Sequence, residues 1–151
     1  MNGNRHHLKL GILLAALAAT VATASASERW RTLQAINWVE NPRNSTRVGP
    51  RGELGPYQFR QATWRMYTDK PFALAVQRQD ADEVAVQHYE WIRHGLLNAG
   101  IEPTPYRIAL VWNAGLDQVV NDRVPASAYA YAEQVANLVG VLKSQELASA
   151  R

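Results

Sequence analysis

The sequence predicts an all-α domain, and three observations carry that expectation. Apolar residues recur at helical spacing along two long stretches. One holds Val84, His88, Trp91 and Gly95 beside Ala85, Tyr89, Ile92 and Leu96, and the other holds Tyr131, Val135, Leu138 and Leu142. Between them, Tyr106 to Ala114 is apolar almost all round, as a buried central helix should be. No alternating run long enough for a strand occurs, and no internal repeat.

The chain has 151 residues, enough for one domain with a single core. Residues 1–26 read as a signal peptide and 27–151 as the domain. Arg5 and Lys9 form a basic start, Leu10 to Val21 is apolar, and Ala24-Ser25-Ala26 offers a small-x-small cleavage site, after Ala24 or Ala26. The apolar run is shorter than the roughly 20 residues a spanning helix needs. A periplasmic or secreted protein is expected, with no membrane attachment after cleavage.

From about Ser27 to Asn41 the spacing predicts the first helix of the domain, its stripe beginning with Trp30 and passing Leu33 and Ile36 or Asn37 to Glu40. Pro42 pushes its predecessor out of the helical region and ends it. Asn44 to Gly55 follows neither period and is full of turn signals, a long loop. A short helix is expected from about Gln61 to Tyr67, stopping before Lys70-Pro71. Phe72 to Arg78 is left open between loop and short helix. Asp80 as cap, with Glu83 reaching back, should start the next helix, which runs to Gly100. Thr104-Pro105 starts the central helix and Gly115 ends it. A short piece near Asp117 to Asn121 precedes the last helix.

Charge and cysteine content narrow the function. Without Arg5 and Lys9, fourteen basic residues face thirteen acidic ones, near neutrality, so no nucleic-acid surface is expected. Arg43, Arg47, Arg51, Arg60 and Arg65 cluster about the glycine loop, which suits a polymer bearing scattered carboxylates as well as it suits solvated loop residues. The chain has no cysteine, so an extracytoplasmic domain must rest on its core alone. No Cys/His metal spacing occurs. His88 and His94 read as structural or surface residues, no metal or other cofactor is expected, and the domain is expected to act as a monomer.

Glu40 is the candidate catalytic residue. It closes a helix, where the macrodipole disfavours a carboxylate, and it lies along an apolar stripe; both favour the protonated form a general acid needs. On spacing alone it reads more readily as an ordinary helix-end carboxylate paired with Arg43 or Arg47.

The ordered set Glu40, Gly52-Glu53-Leu54-Gly55-Pro56-Tyr57-Gln58, Ala62-Thr63, Ala85 with Tyr89, Ala109-Leu110-Val111-Trp112-Asn113-Ala114-Gly115 and Tyr131 with Val135 resembles a soluble lytic transglycosylase domain. This is the lysozyme-like family related to goose-type lysozyme. The resemblance runs from Trp30 to about Leu142, and implies a lysozyme-like helical domain with a long glycine-rich cleft loop that acts on peptidoglycan glycan strands. Residue by residue, it implies Glu40 as the acid, Gln58 lining the cleft, Trp112 and Asn113 behind the acid, and Tyr131 as a cleft tyrosine. It also implies cleavage of the bond between N-acetylmuramic acid and N-acetylglucosamine, with closure of a 1,6-anhydro ring. The chain departs from the family at Asn41 (usually serine), Glu53 (alanine), Pro56-Tyr57 (Leu-Met), Gln61 (proline) and Trp112 (most often tyrosine).

Those departures generate further expectations. Asn41 could supply the serine's polar contacts, Tyr57 could stack on a sugar ring, and Trp38 or Trp112 could supply apolar cover for Glu40. Trp64, Trp91 and Trp112 are expected in the core more than against a sugar. Glu53 is the second carboxylate; facing the cleft it could activate water, and the enzyme would then be a hydrolytic muramidase. A non-catalytic wall-binding domain is the third reading.

Overall fold

A computed structural model describes residues 26–150; the predicted leader, apart from Ala26 at its end, lies outside the described residues. Helix makes up 68% of the described residues, and their one extended pairing is the isolated bridge between Leu54 and Phe59, so the all-α class holds.

The first helix, α1 (26–40), buries Leu33, Ile36 and Asn37, while Trp30 and Trp38 are exposed. The stripe toward Glu40 therefore starts at Leu33 and not at Trp30, whose side chain falls on the outer flank. Pro42 ends the helix as expected, with Asn41 still bonded to the Asn37 carbonyl at 2.8 Å.

After the loop, α2 (Gln61–Arg65) is a short helix that buries Trp64, whose indole donates to the Lys70 carbonyl at 2.8 Å. The open segment forms a 3-10 turn, Phe72–Val76. Helix α3 (Arg78–Asn98) begins two residues before Asp80, with no side-chain cap on Gln77. The expected capping box is absent because Lys70 claims both carboxylates, its ammonium lying 2.6 Å from Asp80 and 2.8 Å from Glu83. Its end is a Schellman turn: the Ile101 and Gly100 amides return to the Leu96 and Leu97 carbonyls, with Gly100 at φ 72°.

The central helix α4 (Pro105–Ala114) is capped by Thr104, which accepts from the Arg107 amide, and it buries Ile108 to Val111. After Gly115 come α5 (Leu116–Val120) and α6 (Ala126–Ser149). The buried line of α6 is Ala128, Ala132, Val135, Val139 and Leu142, small at its start, which lets α4 lie close against it. Tyr131 and Leu138 fall on the flank of that line, only partly buried. Arg31 pairs with Glu146 and Tyr131 meets Glu40, so α1 and α6 run antiparallel. Arg29 ties α1 to Glu90 on α3. No helix among the described residues is long and apolar enough to cross a membrane.

Candidate active site

Two asparagines one turn apart, Asn37 on α1 and Asn41 just past its end, fix the long loop to the helix that carries Glu40. Asn37 donates to the Pro56 carbonyl at 2.9 Å and to Asn44 at 3.0 Å, while its own oxygen accepts from Arg78. Asn41 donates to the carbonyls of Ser45 (2.9 Å) and Gly55 (3.1 Å) and accepts from the Ser45 amide at 2.8 Å. Asn41 makes its polar contacts to backbone.

The loop ends in a tight turn. Leu54 and Phe59 exchange backbone hydrogen bonds at 2.9 and 3.0 Å around Gly55-Pro56-Tyr57-Gln58. Gly55 has φ 81°, and a Cβ there would meet the Ala75 carbonyl oxygen at 1.8 Å, so only glycine fits against the 3-10 turn. Gln58, at φ 47°, is a non-glycine residue held in the left-handed region. Its side-chain amide and its backbone amide both donate to the Gly55 carbonyl, which also receives Asn41.

This turn and the ends of α1, α4 and α6 enclose a cavity of about 710 Å³ that brings together Glu40, Glu53, Gln58, Trp112, Asn113 and Tyr131. That size is within the range of small-molecule and cofactor sites. Glu40 is half-buried, and burial raises its carboxyl above the ordinary range; the Glu53 charge pushes the same way. The Tyr131 hydroxyl donates to Oε1 at 2.8 Å and opposes the rise, as does the charge of Arg51. Among the described residues Glu40 joins no ion pair, so pairing with Arg43 or Arg47 is not realised. Oε2 has no hydrogen-bond partner there and is free for a ligand.

Glu53 is held differently. One oxygen accepts from the Arg51 amide at 2.9 Å; the other faces the Arg51 guanidinium at 2.9 Å and that of Arg60 at 3.9 Å. Backbone hydrogen bonds keep it below the usual carboxylate range, while burial pushes Glu40 above that range. Of two carboxylates split in this way, the raised one, Glu40, is the candidate acid.

Other expected placements change. The Tyr57 ring is 1% exposed, its hydroxyl bonded to Asp82 at 2.5 Å with Arg78 beside it. It touches the cavity but is packed between Phe59 and Trp112, so no open face remains for a sugar to stack on. Trp38 does not line the cavity, whereas Trp112 does. Of the tryptophans expected in the core, Trp64 is there, but Trp91 is 42% exposed and lines the cavity with His88. Helical spacing placed both on one face; it could not say whether that face met core or cleft. Arg51 and Arg60 of the arginine cluster also line the cavity, while Arg43, Arg47 and Arg65 lie outside it.

Among the described residues no cluster of three His, Cys, Asp or Glu side chains could hold a metal ion. Comparison of the chain with protein families, curated proteins and solved structures gives no match.

Proposed function

We propose that the protein is a lysozyme-like lytic transglycosylase of peptidoglycan with Glu40 as its general acid and base. The observation that carries this reading is a carboxyl raised by burial and, among the described residues, in no ion pair, lining one cavity with Gln58, Asn113 and Trp112. A protonated acid is what cleavage of a glycosidic bond requires first.

In the proposed reaction Glu40 Oε2 gives its proton to the glycosidic oxygen as the bond to C1 of N-acetylmuramic acid breaks. The sugar's 2-acetamido group steadies the positive charge at C1. Glu40, now a carboxylate, takes the proton of the 6-hydroxyl while O6 bonds to C1. No water is consumed, and Glu40 ends protonated. Tyr131 holds Oε1 throughout, so a single oxygen handles the proton in both directions.

The hydrolytic alternative needs Glu53 to activate water. Its oxygens face the Arg51 amide and two guanidinium groups, which favours a role in bracing the loop.

Purified protein incubated with peptidoglycan should release fragments lighter than hydrolytic ones by one water, ending in the anhydro sugar. Reducing-end muramic acid would identify a hydrolase instead. Glu40→Gln should lower turnover by several orders of magnitude, about 10³-fold or more, with glycan binding retained. A wild type that binds glycans without any product would leave a wall-binding domain.

A further inference from the structure

We propose that Trp91, held flat by His88, is a sugar-stacking platform on the α3 wall of the cleft. The inference rests on the reading of the cavity as a glycan cleft and adds a subsite to it.

His88 and Trp91 are three residues apart on α3 and so project from the same face. Their rings lie nearly parallel, 11° between planes and 5.8 Å between centroids. His88 is locked from its other sides. Its Nδ1 is 2.9 Å from the Tyr67 hydroxyl, its edge meets Trp112 at 4.7 Å, and Phe59 lies beyond at 6.3 Å. The indole thus has a rigid aromatic support on one face, while 42% of the residue remains open.

Two contrasts set Trp91 apart from the other tryptophans. Trp64 is fully buried with its N–H donated to a carbonyl, whereas the Trp91 N–H has no hydrogen-bond partner among the described residues. Trp30 and Trp38 are similarly exposed, but neither lines the cavity that holds Glu40. On the next turn of the same face stands Gly95, where an added Cβ would lie 2.5 Å from Leu116 Cδ2. Its missing side chain lets Leu116 fold in and complete the apolar wall beside the indole.

An indole braced by a parallel ring, 42% exposed on the cavity and with an N–H unpartnered among the described residues, offers what the apolar face of a pyranose and an adjoining hydroxyl can use together. The bracing means that little side-chain entropy is left to lose on binding. His88 is a positioning residue here: it does not reach the sugar but fixes the plane on which the sugar rests.

The test is a titration of Glu40→Gln protein with N-acetylglucosamine trimer and hexamer, alone and combined with changes at Trp91 and His88. Trp91→Ala should weaken hexamer binding about tenfold, and Trp91→Phe distinctly less, since a smaller ring keeps part of the stack. His88→Ala should weaken it several-fold and His88→Phe restore it, because phenylalanine still supplies a flat support. Equal affinity for Trp91→Ala and its parent overturns the platform while leaving the glycan reading intact. Loss with Trp91→Phe as complete as with Trp91→Ala also overturns it. If the parent binds neither oligomer and the wild type releases nothing from peptidoglycan, the glycan reading fails and the platform with it.

Discussion

The ionisation of Glu40 is set by where it stands more than by what it touches. Burial is the largest influence on it, and the hydrogen bond it receives from Tyr131 pulls the other way. Removing that bond therefore has a definite sign. Tyr131→Phe should move the alkaline limb of the kcat/KM profile to higher pH, because the carboxylate loses a donor and gains a proton more readily. A limb that shifts downward, or does not move, would show that Tyr131 leaves the acid's ionisation alone. The phenol itself stays protonated, since burial and the adjacent Glu40 hold it well above its ordinary value. At this scale the sequence was informative where chemistry depends on residue type. A carboxylate at a helix end could be picked out by identity and spacing, whereas Tyr131 and the Trp112-Asn113 pair entered only through the resemblance to the transglycosylase family. Lys70 taking Asp80 and Glu83 away from their expected caps could not, because that partnership spans a turn whose path the sequence left open.

The loop is the element on which the site depends, and its fit is set by Gly55. An alanine there would need both a left-handed backbone and space already filled by the Ala75 carbonyl. Gly55→Ala should thus displace the turn, unseat Gln58 and lower activity sharply; the cost in stability should be about 2 kcal/mol or more, readable by denaturant unfolding. Gly52→Ala provides the contrast, since its Cβ would meet nothing within 4 Å and only its φ of 81° is strained. Helix boundaries were largely legible from Pro42, Thr104-Pro105, Gly100 and Gly115, which act through backbone geometry that neighbours cannot override. What the α3 pattern hid was the character of its inward face. Periodicity counts apolar residues around a helix, and His88 with Trp91 satisfies that count whether the face meets a core or a cavity. A partly polar pair on an otherwise apolar stripe was the available signal.

Across the whole molecule, two buried titratable groups give stability opposing dependences on pH. His88 is held neutral by burial, which lowers its value to about 4. Between that and an unfolded value near 6.5 the unfolded chain binds the extra proton, so acidification across this window favours unfolding by up to about 3 kcal/mol. Glu40 acts oppositely, since its folded value is raised; its contribution is lost as pH climbs from the unfolded value near 4.5. Thermal unfolding should show a midpoint that falls from pH 7 to pH 4 in the wild type and falls less in His88→Phe. An identical fall in both proteins would assign it to other groups. The all-α class was legible because so much of the chain is periodic, while the cavity was not, being made where the ends of separate helices converge.

The Gly55 carbonyl has two lone pairs and three suitors: Asn41, the Gln58 backbone and the Gln58 side chain. An acceptor so oversubscribed loses little when one donor departs. The Gln58 carboxamide can turn toward an incoming hydroxyl without orphaning the oxygen it leaves, since Asn41 and the peptide N–H remain in place. The turn thereby keeps a mobile hydrogen-bonding hand in reserve while its own architecture stays closed.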